Sequence, residues 1–232
     1  MLFYRIIKHF FLSQRVFIAT FVQNQKTTLN YLAHIFLSGT DHQLQIGNFI
    51  GDFVKGSHFN DYPNGIRDGI ILHRKIDSFT DSHALVNETV VLLRPTFGRY
   101  SGIIADMYFD YFLAVNFKTY SHHKSLQVFS HRFYFFAFLN YRHLPHKVKR
   151  FIFHFTGTNR LYKYGSLDGL RRSLEIMAIH KISAIDPDKT IEFLVDNREV
   201  LEYKFQRFFP ELVKYVNTEK QSILNLREIE IN

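Results

Sequence analysis

Gly69-Ile-Ile-Leu-His-Arg-Lys-Ile-Asp77 decides how this chain is read. Wound as a helix, it projects His73 and Asp77, four residues apart, toward one side, with Ile66 and Ile70 in the same stripe. Outward from it, short polar clusters recur inside apolar, helix-like sequence. Asn30 and His34 close Asn30-Tyr-Leu-Ala-His34. Asn48 and Asp52 fall in Gly47-Asn-Phe-Ile-Gly-Asp-Phe-Val-Lys-Gly56. Asp81 precedes His83, and Asp106 and Asp110 lie in Ile103-Ile-Ala-Asp-Met-Tyr-Phe-Asp-Tyr-Phe-Leu-Ala114. From residue 29 onward helical periodicity dominates and no sustained strand alternation occurs, so the expected fold is all-α, a compact multi-helix bundle.

The periodicity predicts helices at about 29–37, 42–55, 63–78, 83–93, 100–118, 124–141, 146–156, 168–180, 187–208 and 211–226. Gly56 reads as a C-cap, Pro95 and Gly98 as a break between the fourth and fifth helices, and Asp186 as an N-cap ahead of Pro187. Pro145 and Pro210 are expected to mark helix starts in the same way. At 232 residues the chain suits one domain, expected over 29–232. Residues 1–28 read as an N-terminal extension, poorly ordered or an amphipathic helix. Its apolar runs are broken by Arg5, Lys8 and Arg15 and fall well short of the roughly 20 residues a transmembrane span needs.

With 26 Phe, 13 Tyr and no Trp, aromatic rings must fill much of the interior. The absence of Cys excludes disulfides, thiolate metal sites and cysteine nucleophiles, leaving His, Asp and Glu as candidate ligands. The formal charge of +8 is concentrated: residues 121–172 hold ten Lys or Arg against the single Asp168. Such a stretch favours an acidic partner, or is simply a solvated face.

The clusters carry the chemistry. An imidazole and a carboxylate one turn apart suit Mn²⁺, Fe²⁺ or Zn²⁺ better than Ca²⁺, although an isolated pair of this kind is more often a surface ion pair. Asp106 and Asp110 sit in a segment too apolar to face water all round and would repel each other without a cation, which a metal or Arg74 or Arg99 would supply. Gly47 and Gly51 weaken their helix and suggest close approach of another helix or a ligand. Arg74 either clamps a phosphate or neutralises Asp77 or Asp81. A divalent metal bound between helices accounts for the set and points to a metallohydrolase. No P-loop, Rossmann fingerprint, nucleophile elbow or His-Glu-xx-His helix is present.

These motifs in this order, together with Phe79-Thr-Asp-Ser-His83 and Gly169-Leu-Arg-Arg-Ser-Leu174, resemble the acyl carrier protein phosphodiesterase family. The resemblance implies an all-helical enzyme distantly related to HD-type phosphohydrolases, Mn²⁺-dependent and cytoplasmic. It would release 4′-phosphopantetheine from holo-acyl carrier protein, an acidic protein substrate, to leave the apo form. It further implies Asp52, His73, Asp77 and Asp110 as metal ligands, with Asp106 and His34 beside them or in the same set. Arg74, Asn30 and Asn48 would contact substrate. Two positions depart from the family pattern: Tyr111 replaces a common His, and Ala84 replaces a Pro. A phenol, with a pKa near 10, is a poor substitute for imidazole at neutral pH. Other readings are a phosphohydrolase acting on a nucleotide or another phosphoester, and a catalytically impaired binding homologue; nucleic acid is not an expected partner.

Overall fold

The aromatic count finds its place along the longest helix of the computed structural model, which describes residues 31–121, 125–180 and 184–231. Phe205, Phe208, Phe209, Leu212 and Val216 are all buried and form one stripe of that helix, Arg198–Ile231. The chain reaches it through α1 (Tyr31–Leu37), α2 (His42–Ile50), a 3₁₀ turn (Gly51–Phe53), α3 (Asn64–Ser82), α4 (Ala84–Phe97), α5 (Ser101–Val115) and α6 (Phe117–Tyr120). Then follow α7 (Leu126–Leu139), α8 (His146–Gly157), α9 (Arg160–Lys163), α10 (Leu167–His180) and α11 (Pro187–Asp196), before the long helix, α12. Among the described residues there is no strand, and no helix is long and apolar enough to cross a membrane. The extension expected over residues 1–28 lies outside the described residues, as does Asn30.

Rings join the helices. Phe209 of α12 lies 5.8 Å from Phe36 of α1, and Phe208 lies 5.5 Å from Phe109 of α5. On the other side of α1, Phe49 of α2 meets Tyr31, Phe133 of α7 and Phe155 of α8 at 5.1–5.5 Å. Each such contact adds modestly to the burial of a large apolar surface.

Glycines set the closest helix crossing. A Cβ on Gly47 of α2 would stand 2.8 Å from Gly69 Cα of α3, and the reverse holds equally. The two backbones therefore approach where neither can carry a side chain, which brings Asn48 of α2, and Asp52 in the turn after it, toward the His73 and Asp77 side of α3.

Caps follow residue chemistry. Asp41 accepts the amides of Gln43 and Leu44 at the start of α2, and Asp186 those of Asp188 and Lys189 at the start of α11. Gly98, at φ +54°, ends α4.

Two prolines behave differently from expectation. Pro95 lies inside α4, not between helices; the carbonyl it leaves unpaired is that of Val91, an exposed residue, which water can serve. Pro210 lies inside α12 and starts no helix. The real break falls at Asn197, after α11. The roughly 3 kcal/mol cost of an internal proline is offset by the uninterrupted burial of Phe208, Phe209 and Leu212 around it.

Candidate metal centre

The α2–α3 crossing turns three donors toward one point. His34 of α1, His73 of α3 and Asp77 of α3 offer ligand atoms that lie within 4.8 Å of one another. His34 Nε2 is 3.2 Å from Asp77 Oδ1, and His73 Nε2 is 3.3 Å from Asp77 Oδ2, so Asp77 sits between the two imidazoles. Asp52, in the 3₁₀ turn after α2, places Oδ1 3.4 Å from His73 Nε2. The two rings stack with centroids 4.2 Å apart. Both histidines are buried, while the Asp77 side chain is 30% exposed, so the cluster meets solvent on that side.

The tautomer of His34 is set by its neighbours. Asn48 Nδ2 donates to Ser38 Oγ, which donates to the His34 carbonyl. That orientation leaves Asn48 Oδ1 facing His34 Nδ1 at 2.6 Å, so Nδ1 carries the proton. The Nε2 lone pair of the neutral ring then points toward Asp77. Despite the short distance, His34 Nε2 is a buried atom without an aligned hydrogen bond. A buried nitrogen and a carboxylate oxygen aimed at common space, with the far nitrogen tied to an amide, is the arrangement of a metal-ligating histidine. The mixed N and O donors fit a first-row divalent cation.

His73 is held otherwise. A Cβ on Gly51 would come within 2.6 Å of His73 Cβ, so the 3₁₀ turn forms a cradle that only glycine leaves open. Its Nδ1 is buried without a hydrogen-bond partner among the described residues.

Electrostatics show a surplus of negative charge. Burial disfavours the charged form of His34, yet Asp77, Asp52 and Asn48 outweigh it and raise the imidazole pKa. Burial, and then the charges of Asp77, Asp110, Asp81 and Asp52, raise Asp106 well above the carboxylate range. A bound cation relieves both effects.

The other expected residues take distinct places. Asp110 of α5 is buried and accepts the amides of Leu32 and Ala33, each at 2.9 Å, at the first turn of α1. Burial pushes its pKa up to about 8 against the lowering effect of those two amides. It positions the helix that carries His34, and it is not among the three converging donors. Asp106, one turn earlier, lines a small cavity with Ala33, Ile76, Thr80 and Phe109. Arg74 Nη2 donates to the carbonyls of Val54 (3.0 Å) and Gly56 (2.7 Å), with its guanidinium over the Phe59 ring. It thereby fastens the loop that follows Asp52. His83 caps α4 through the Leu85 amide and faces Glu211 at 3.3 Å. Tyr111 is buried in the core with its ring edge-on to Phe112.

Sequence reasoning gave Ser38 no part. Its spacing of four from His34 was the available signal. Arg160 was also passed over; on α9 its charge lowers the pKa of Tyr31, Tyr134 and Tyr164 against the burial that raises all three.

Comparison with known proteins gives this geometry a family. The model of the acyl carrier protein phosphodiesterase family matches residues 29–212. The acyl carrier protein phosphodiesterase of Klebsiella pneumoniae subsp. pneumoniae is 29% identical over 195 residues, covering 80% of this chain and 96% of that protein. That of Enterobacter sp. is 28% identical over 194 residues with the same coverage, and that of Yersinia pestis 37% over 86 residues, 37% of this chain and 45% of its own. No solved structure matches the chain. With its clustered histidines and aspartates inside a segment matched along most of the chain's length, the protein belongs to the acyl carrier protein phosphodiesterase family.

Proposed function

We propose that the protein hydrolyses the phosphodiester joining 4′-phosphopantetheine to holo-acyl carrier protein, yielding apo-carrier protein and free 4′-phosphopantetheine. The observation that carries this reading is the convergence of His34, His73 and Asp77 in a chain whose relatives are named for that activity. His34 Nε2, His73 Nε2 and Asp77 would hold a divalent cation, with Mn²⁺ the expected metal. When bound, it supplies Lewis-acid polarisation of the phosphoryl group and of the attacking water.

The remaining work falls to this chain's own groups. Asn48 keeps the His34 proton on Nδ1, so that Nε2 stays available. Asp52, whose Oδ1 stands 3.4 Å from His73 Nε2 and whose side chain is only 12% exposed, would accept a proton from a water entering past Asp77. Arg74 stiffens the loop that follows Asp52 through Nη2, and would meet the substrate phosphate with the rest of its guanidinium.

Purified protein incubated with holo-acyl carrier protein and Mn²⁺ should convert it to the apo form, read as a loss of mass equal to 4′-phosphopantetheine. Asp52→Ala and Asp77→Ala should each abolish conversion. Full conversion by both variants would remove the site, and conversion of nucleotides in preference to the carrier protein would reassign the substrate.

A further inference from the structure

The outer face of α7 and α8 is unlike the rest of the surface. Along α7, Phe135, Phe138 and Leu139 share one side and are 60%, 42% and 62% exposed; across the turn, Phe153 of α8 is 50% exposed. Phe153 meets Phe138 at 5.6 Å and Tyr141 at 5.7 Å, so the rings form one continuous patch. Large apolar side chains gathered this way mark an interaction surface, where scattered ones would not.

Cations frame the patch. Arg132 lies over Phe136, Lys149 over Tyr141, and Arg142, next in sequence to Tyr141, is exposed. No Asp or Glu occurs anywhere between Asp110 and Asp168. A surface that is apolar at its centre, cationic at its rim and free of acids within its own segment complements an anionic, partly apolar partner.

Position separates this face from the hydrolytic cluster. The opposite side of α8 carries Phe151 and Phe155, which pack on Tyr31, Phe49 and Phe53, next to Asp52. A second copy of this chain would set like charges against one another across a two-fold contact.

We propose that the α7–α8 face is a docking surface for an anionic lipid bilayer, with Phe135, Phe138, Leu139 and Phe153 entering the headgroup boundary and the flanking Lys and Arg meeting lipid phosphates. The association is peripheral, since no described helix spans a membrane. It is independent of the hydrolytic reading.

The test is co-sedimentation of the full chain with vesicles of phosphatidylcholine alone and of phosphatidylcholine with about one-third phosphatidylglycerol. Binding should require the anionic lipid and weaken with added salt. Phe138→Ser with Phe153→Ser, and separately Arg132→Glu with Arg142→Glu, should each lower partitioning by roughly tenfold or more. Circular dichroism of both variants should stay unchanged, because the substituted side chains are exposed. Equal, salt-insensitive sedimentation with both vesicle types would overturn the proposal. So would a monomer–dimer equilibrium, or saturable binding of holo-acyl carrier protein, that the Phe138→Ser/Phe153→Ser variant loses.

Discussion

Replacing Asn48 by Ala removes a group that touches no cation and yet sets the state of one that would. The substitution deletes the 2.6 Å bond to His34 Nδ1 and the 3.0 Å bond to Ser38 Oγ, while Ser38 still donates to the His34 carbonyl. His34 Nδ1–H is left buried without an acceptor, a loss of about 1–3 kcal/mol of folding stability. The ring is also released to place its proton on either nitrogen, so its lone pair no longer points reliably toward Asp77. Removing such an orienting partner lowers metal affinity by roughly 10–100-fold, about 1.4–2.8 kcal/mol of binding free energy. Urea denaturation of the metal-free protein reads the first quantity, and calorimetric titration with Mn²⁺ reads the second. Ser38→Ala, one bond further out, should show the same signs with smaller size. Unchanged Mn²⁺ affinity in Asn48→Ala, with the expected stability loss present, would refute the reasoning, since His34 would then be no ligand.

Gly51 is helical, at φ −52°, a conformation in which Ala is the better residue by about 1 kcal/mol; if Gly51→Ala instead destabilises by about 1–3 kcal/mol through displacement of His73, the cradle is confirmed, and a stabilised variant in thermal melts would deny it. Asp110→Ala strands the Leu32 and Ala33 amides and should cost about 2–4 kcal/mol in chemical denaturation, with Asp110→Asn, which keeps one acceptor, costing less than half of that; equal losses would contradict the two-amide role. In the metal-free protein His34, Asp106 and Asp110 all have pKa values above their ordinary ones. Groups shifted upward contribute stability that is complete below the ordinary pKa and is lost as pH rises through the folded one. Melting temperature should therefore fall as pH climbs from the carboxylate range to about 8, the Asp110 value, and Mn²⁺ should restore it; a melting temperature that rises over this range would reverse the sign of the argument.

Helical class and the α2–α3 contact were legible because both rest on local pattern. Periodicity marks the helices, and Gly47 and Gly51, weak helix formers inside a helix, signal that something must come close. His73 and Asp77 were legible for the same reason, being one turn apart on one helix. What the sequence hides is long-range. Asp110 is 78 residues from the Leu32 amide it accepts, and nothing in its own helix distinguishes a metal ligand from an acceptor for another helix's first turn. Arg74 reads as a clamp for phosphate or a partner for Asp77 or Asp81, and its bonds to the Val54 and Gly56 carbonyls appear only once that loop folds onto it. His34 reads as either a neighbour of the metal set or a member of it, because only the tertiary fold carries Asn48 to its Nδ1. Pro95 and Pro210 misled for the opposite reason: local preference says stop, and burial along α12 and exposure at Val91 let both helices continue.

The central claim is that His34, His73 and Asp77 share one divalent cation. Crystals soaked in Mn²⁺ and measured at the manganese absorption edge test it directly. The account predicts one strong anomalous peak within bonding distance of His34 Nε2, His73 Nε2 and an Asp77 oxygen, lost in Asp77→Ala. Manganese bound elsewhere with this cluster empty would contradict it.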